Sequence, residues 1–238
     1  MKITTGIKAF FILLWTPIAA VIGALLLLVT CNRLLVNFIS ARYVWTPMVL
    51  LISGVRVRPH NLRSLNKKRP AIYVANHSSL FDIIAIARVL PVGPFFIAKK
   101  ELKKVPFMGW YMTMIGMIFV DRGNSDAAMK SMKKAAVEIQ RGKNIVSFPE
   151  GTRSKTGKIG IFRRGTFIIA REGNIDIVPI GLSGADHVLP NGSFILRSGT
   201  IDVRFGDAIQ MKDHQDKSIE ELASYTRNKV VELASKAR

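Results

Sequence analysis

The sequence predicts an α/β protein: a mixed, mostly parallel sheet flanked by helices, preceded by an N-terminal membrane-associated helical segment. Three observations carry that prediction. The first 55 residues contain two long uncharged stretches and no acidic residue. Beyond Arg56, short apolar runs that stop at turn residues alternate with amphipathic stretches, as strands alternate with helices. Polar clusters follow directly on several of those runs, where open α/β sheets place their chemistry. Residues 1–55 are therefore expected to form an anchor of one or two helices, and residues 56–238 the α/β domain.

The anchor begins with Ala9 to Asn32, 24 residues without a charge. As a helix this run reaches about 36 Å, more than the ~30 Å hydrocarbon core of a bilayer. It is too long for a secretory signal, and no small-x-small pattern closes it. Tyr43 to Val55, 13 uncharged residues, would reach only about 20 Å and is too short to span alone. Lys2 and Lys8 before the first run balance Arg33 and Arg42 after it. The charge rule therefore leaves a re-entrant hairpin and a single pass both open.

In the domain, AIYVA at 71–75 predicts a buried strand and Leu80 to Val89 a helix. FFIA at 95–98 is a second strand, followed by the basic KKELKK and the apolar stretch Phe107–Met117. IFVDR at 118–122 predicts a third strand, Ala127–Gln140 an amphipathic helix and NIVSF at 144–148 a fourth strand. Phe167–Ala170 continues into a short helix, and IDIVPIGLSG and GTIDVRFGDAI predict two further strands. Val178-Pro179-Ile180 sets a proline inside an apolar run, which requires an edge or a bulge. A last helix from Ser218 to Lys236 opens on a Ser-x-x-Glu capping box, Ser218 to Glu221.

Charge narrows the partners. The chain of 238 residues has 35 Lys and Arg against 16 Asp and Glu, a formal +19, of which +15 lies beyond residue 55. A basic domain tethered to a bilayer suits anionic lipid headgroups and phosphate-bearing substrates. No nucleic-acid motif is present, so no nucleic-acid partner is expected. The single cysteine, Cys31, excludes an intrachain disulfide and a multi-cysteine metal site, and no metal is expected.

His77 lies between the strand at 71–75 and the helix at 80–89. Positions five apart on an ideal helix differ by about 140°, so His77 meets Asp82 only from the turn ahead of the helix, ring folded back. Ser78 or Ser79 supplies an N-cap there, and Ser79-x-x-Asp82 outlines a capping box. Asp82 thus has a purely structural reading beside a catalytic one.

Asn-His-x4-Asp at 76–82, Gly-x-x-Phe-x-x-Arg at 116–122, Phe-Pro-Glu-Gly-Thr-Arg at 148–153 and Val-Pro-Ile at 178–180 occur in this order. The set resembles the glycerolipid acyltransferase family, in particular the bacterial 1-acyl-sn-glycerol-3-phosphate acyltransferases, over roughly residues 55–210. That resemblance implies transfer of a fatty acyl group from a thioester to the sn-2 hydroxyl of lysophosphatidate. It implies acyl-coenzyme A or acyl-carrier protein as co-substrate, with no cofactor. Membrane lipids are the implied surroundings, and the inner membrane with the domain on its cytoplasmic side the location. The same pattern allows another acceptor, such as a lyso-ornithine lipid; a non-catalytic lipid-binding protein would have no use for a base.

The residues have chemical roles that fit. An imidazole titrates near neutrality and can take the hydroxyl proton during attack, a contribution of about 10²–10⁴-fold. Asp82 would fix the tautomer of His77. The resemblance implies that Arg153 clamps the phosphate beside the amides of Gly151 and Thr152. It makes Arg122 a second phosphate candidate and Glu150 a group that positions Arg153 or a glycerol hydroxyl. Exposed amides at the helix start are candidates for steadying the oxyanion. Asn76 and Phe148 are read as scaffolding for their loops, and the lysines at 99–104 as a solvated face. No Gly-x-Ser-x-Gly elbow is present, which favours direct transfer over an acyl-enzyme.

Overall fold

The computed structural model describes residues 2–65, 69–121 and 123–236. The N-terminal part is a helical hairpin. Helix α1 (Lys2–Thr30) turns at Cys31 and Asn32 into α2 (Arg33–Ile39), a π-helical turn (Ser40–Trp45) and α3 (Thr46–Ser53). The Asn32 side chain caps α2 by accepting from Leu35 N at 3.0 Å. The two arms run back to back: Lys8 Nζ donates to Ser53 O at 2.9 Å, and Trp45 Nε1 to Thr16 Oγ1 at 3.3 Å.

The second arm departs from the sequence expectation. It is a helical run of 21 residues, Arg33–Ser53, and like the first it is long and apolar enough to cross a membrane. Arg42, which interrupts the uncharged stretch, does not end the helix. Its Nη1 donates to Val89 O and Leu90 O at 3.0 and 3.1 Å, and its guanidinium lies 5.9 and 5.7 Å from the rings of Phe38 and Tyr43. The hairpin therefore lies against the domain. Val49 and Leu50 belong to the same apolar cluster as the sheet.

Seven strands form the sheet: β1 (Val55–His60), β2 (Ile72–Ala75), β3 (Pro94–Lys99), β4 (Ile118–Val120), β5 (Asn144–Ser147), β6 (Ile177–Ser183) and β7 (Gly199–Phe205). Their order is β1-β7-β6-β2-β5-β3-β4. Only the β6–β7 pair is antiparallel, so the sheet is mixed and mostly parallel as expected. Along β2, Ile72 and Val74 face one apolar cluster and Tyr73 and Ala75 the other. The hairpin and α4 (Phe81–Val89) cover one face, while α6 (Ser125–Gln140), α7 (Gly165–Glu172) and α9 (Ile219–Ser235) cover the other. Two shorter helices, α5 (Met108–Met114) and α8 (Ala185–Val188), complete the set.

Pro179 sits inside β6, a central strand, and the ladder explains how. Pairing with the β7 side skips from Ile180↔Phe205 to Ile177↔Ile209, so three steps of β6 oppose four of its partner. The extra residue is a bulge, placed where the missing proline N–H would have donated. The capping box at the start of α9 forms in full, Ser218 N to Glu221 Oε2 and Glu221 N to Ser218 Oγ.

Candidate active site

The parallel strands β2, β3 and β5 end at one rim of the sheet, and His77 stands there, two residues beyond β2. Asn76 prolongs β2 with its side chain. Its Oδ1 accepts from Leu182 N at 2.8 Å and its Nδ2 donates to Leu182 O at 3.0 Å, which pins the turn to β6. The ring of His77 folds back as expected, with Nδ1 2.9 Å from Asp82 Oδ2. That oxygen also accepts from Ser78 N at 2.7 Å and Ser79 N at 2.8 Å, and Asp82 is fully buried. An acceptor-only carboxylate on Nδ1 requires that nitrogen to carry the proton. Nε2 is left as the basic nitrogen, without a partner among the described residues.

Only half of the expected capping box forms. Asp82 accepts from Ser79 N, but Ser79 Oγ accepts from Phe81 N at 3.2 Å and donates to Leu189 O at 2.8 Å. The same bonds narrow the expectation for the oxyanion. The amides of Ser78, Ser79, Phe81, Asp82 and Ile83 all have acceptors within the turn, so the helix start presents none of them to a ligand.

Glu150 also differs from its sequence reading. Its Oε1 accepts from His77 N at 2.7 Å and its Oε2 from Gly160 N at 2.8 Å. Its carboxylate thus ties the histidine turn to the 151–160 loop and, among the described residues, makes no ion pair with Arg153. Ser154 N donates to His77 O at 2.8 Å, so the backbone of His77 is held from both sides. The ring is held too. Phe148 stacks on it at 4.2 Å between centroids, 19° from parallel, with Phe96 behind Phe148. Burial pushes the phenol of Tyr73, within β2, up to about 12.

His77 opens on a cavity of about 710 Å³ that Glu150, Thr152, Arg153, Lys158 and Asn191 also line. The Arg153 guanidinium has no acceptor among the described residues. It is a free fork of donors in the same cavity as the basic nitrogen. Thr152 is there as expected. Gly151 is a correction: its amide donates to Phe148 O at 3.0 Å, so it is not a phosphate donor. The turn requires glycine at φ 78°, where a Cβ would also press Arg163 Nε at 2.9 Å. Arg122 lies outside the described residues. Its neighbour Asp121 is bound by Lys100, which holds the Asp121 carboxyl below the usual carboxylate range.

Comparison with known proteins places this geometry. Residues 56–183, more than half of the chain, match the family model described as Acyltransferase. The chain belongs to the acyltransferase family. It is 33% identical over 215 residues to the 1-acyl-sn-glycerol-3-phosphate acyltransferase of Saccharomyces cerevisiae, covering 89% of this chain and 70% of that protein. A chloroplast protein of the same name from Arabidopsis thaliana is 34% identical over 166 residues, and this chain spans only 44% of its length. The crystal structure of the 1-acyl-sn-glycerophosphate acyltransferase from Thermotoga maritima superposes with a TM-score of 0.84 at 24% identity, covering 99% of this chain and 96% of that one. The fold is shared from end to end, hairpin included.

Two contributors to this acyltransferase's site escaped the sequence reading. Phe148 was expected only to support its loop, yet its ring is the platform for the imidazole; an aromatic at a strand end beside Pro149 was the available signal. Asn191 donates from Nδ2 to Arg153 O at 3.0 Å and Ser154 O at 3.3 Å, fixing the backbone that carries the guanidinium. Nothing in Pro190-Asn191-Gly192 beyond a turn pattern announced it.

Proposed function

We propose that this acyltransferase transfers a fatty acyl group from a thioester to the sn-2 hydroxyl of 1-acyl-sn-glycerol 3-phosphate, yielding phosphatidate. The observation that carries the reading is the unpartnered Arg153 guanidinium on the cavity where His77 exposes Nε2. A glycerol phosphate offers an anion for the first and a hydroxyl for the second. Arg153, with Thr152, binds the phosphate; Arg122 is a second candidate for that role. His77 takes the hydroxyl proton as the oxygen attacks the thioester carbon. Asp82 stabilises the imidazolium that forms, and the proton passes to the departing thiolate as the C–S bond breaks. Glu150, Phe148 and Asn191 keep the base and the clamp in place.

The thioester brings its own activated carbonyl, so the reaction needs a co-substrate, acyl-coenzyme A or acyl-carrier protein, and no cofactor. Residues 1–55 serve as the anchor and residues 56–238 as the catalytic domain. The protein sits on the inner membrane with the domain on the cytoplasmic side, where the donor is made. The hairpin supports this reading, because its two arms end close together, with Lys8 near the start of α1 bonded to Ser53 at the end of α3. The test is incubation of purified protein with radiolabelled lysophosphatidate and each donor in turn. Labelled phosphatidate is expected. Acylation of another lysolipid, with lysophosphatidate left untouched, would refute the acceptor assignment.

A further inference from the structure

The segment after β3 has a surface outside the residues that line the His77 cavity. Lys100–Lys104 forms a short 3₁₀ turn, and Val105-Pro106-Phe107 leads from it into α5. Val105, Phe107 and Trp110 are 38%, 47% and 60% exposed, and the rings of Phe107 and Trp110 pack together at 5.4 Å. Phe107 stands at φ 58°, a conformation that bulky residues avoid, with its ring on the outside. An exposed apolar cluster held in a fixed turn marks a contact surface.

Three further facts say what covers it. The segment is basic: Lys99, Lys100, Lys103 and Lys104 stand against Glu101 alone. Lys99 pairs with Glu101 and Lys100 with Asp121, whereas Lys103 and Lys104 have no carboxylate among the described residues. Lysines beside tryptophan and phenylalanine are the composition of a bilayer interface. The segment also adjoins the hairpin. Tyr111 fills the notch at Gly23 of α1, where an added Cβ would lie 2.5 Å from its ring. The outer side of α1 exposes Phe10, Leu14, Val21 and Leu25. Finally, the segment starts at the end of β3, two strands and so about 10 Å along the rim from the end of β2.

We propose that Val105, Phe107 and Trp110 seat in the interface of an anionic bilayer as a second contact beside the hairpin, with Lys103 and Lys104 on lipid phosphates. The hairpin alone would let the domain pivot about its long axis. A second contact on the β3 side fixes the rim, so the cavity faces the surface from which a lysolipid comes. This inference rests on the reading that the hairpin lies in the bilayer.

Trp110 is the natural probe. Trp15→Phe and Trp45→Phe together leave it as the sole tryptophan, and the full-length protein is placed in phosphatidylglycerol vesicles carrying nitroxide lipids. Vesicle flotation of the same sample reads the hairpin separately. The expected result is a blue-shifted Trp110 emission, quenched more by a nitroxide near the headgroup than by one near the chain end. A second probe guards against misfolding: a fluorophore on Phe107→Cys in a Cys31→Ser background should show the same depth order. Protein that floats while both probes stay unquenched and water-like would overturn the second contact and leave the hairpin reading intact. Protein that does not float would overturn both. Unquenched probes that become shielded by added acyl-carrier protein would assign the surface to that partner and refute the lipid.

Discussion

Replacing Glu150 by glutamine tests whether this residue serves the base or the acceptor. Its two oxygens accept from two backbone amides, His77 N at 2.7 Å and Gly160 N at 2.8 Å. Glutamine keeps one acceptor and turns the other position into a donor, so one amide must face an N–H. Losing one charge-assisted hydrogen bond costs about 1.5–3 kcal/mol. At 1.36 kcal/mol per decade, a loss carried by the placement of His77 lowers kcat by about 10- to 100-fold. The phosphate clamp is untouched, because Arg153 takes no bond from this carboxylate. The acceptor KM should therefore change by less than about threefold. Steady-state kinetics with radiolabelled lysophosphatidate, beside a thermal melt to establish folding, make the measurement. A Glu150→Gln enzyme with wild-type kcat and a strongly raised acceptor KM would show that Glu150 binds substrate after all.

The remaining predictions follow from the same contacts. His77→Ala should lose at least about 10² in turnover with its melting temperature kept, and near wild-type activity in the folded variant would sink the mechanism. Arg153→Ala should weaken kcat/KM for the acceptor by roughly 2–5 kcal/mol, and a rise confined to the donor KM would place the phosphate elsewhere. Phe148→Leu keeps an apolar wall but removes the stacked ring, worth about 0.5–1.5 kcal/mol, so kcat should fall by up to about tenfold; unchanged kcat would show that the platform is idle. Deleting residues 1–53 strips Val49 and Leu50 from the core at about 1.5–3 kcal/mol each and Arg42 from the end of α4, so the product should be aggregated or molten by near-UV circular dichroism. A soluble, cooperatively melting fragment would refute that.

What was legible in the sequence, and what was not, divides along physical lines. Central strands announce themselves because both faces are buried, and AIYVA or NIVSF has no other use. Strand β1 did not, because VRVRPH lies at the sheet edge, with two arginines and a proline in six residues. The second arm of the hairpin was read as too short because Arg42 ended the uncharged count, and only the carbonyls of Val89 and Leu90, far along the chain, neutralise that objection. The His77–Asp82 pair was legible because it is local. The partner of Glu150 was not, because the amide of His77 lies 73 residues away and backbone groups leave no mark on side-chain chemistry. The oxyanion expectation narrowed for a similar reason: the amides exist, but Asp82, Ser79 and Leu80 accept from five of them.

The pairing of β1 with β7 also governs how the chain is made. Residues 55–60 leave the ribosome right behind the hairpin, but their sheet partner among the described residues is 199–205. At about 5–20 residues per second, that partner arrives on the order of ten seconds later. For that interval the nascent protein has its apolar hairpin and an open strand with nothing to pair with. Arg56, Arg58 and Pro59 make that strand a poor template for another chain. The residues that hid β1 from the sequence reading are thus the ones that protect it while it waits.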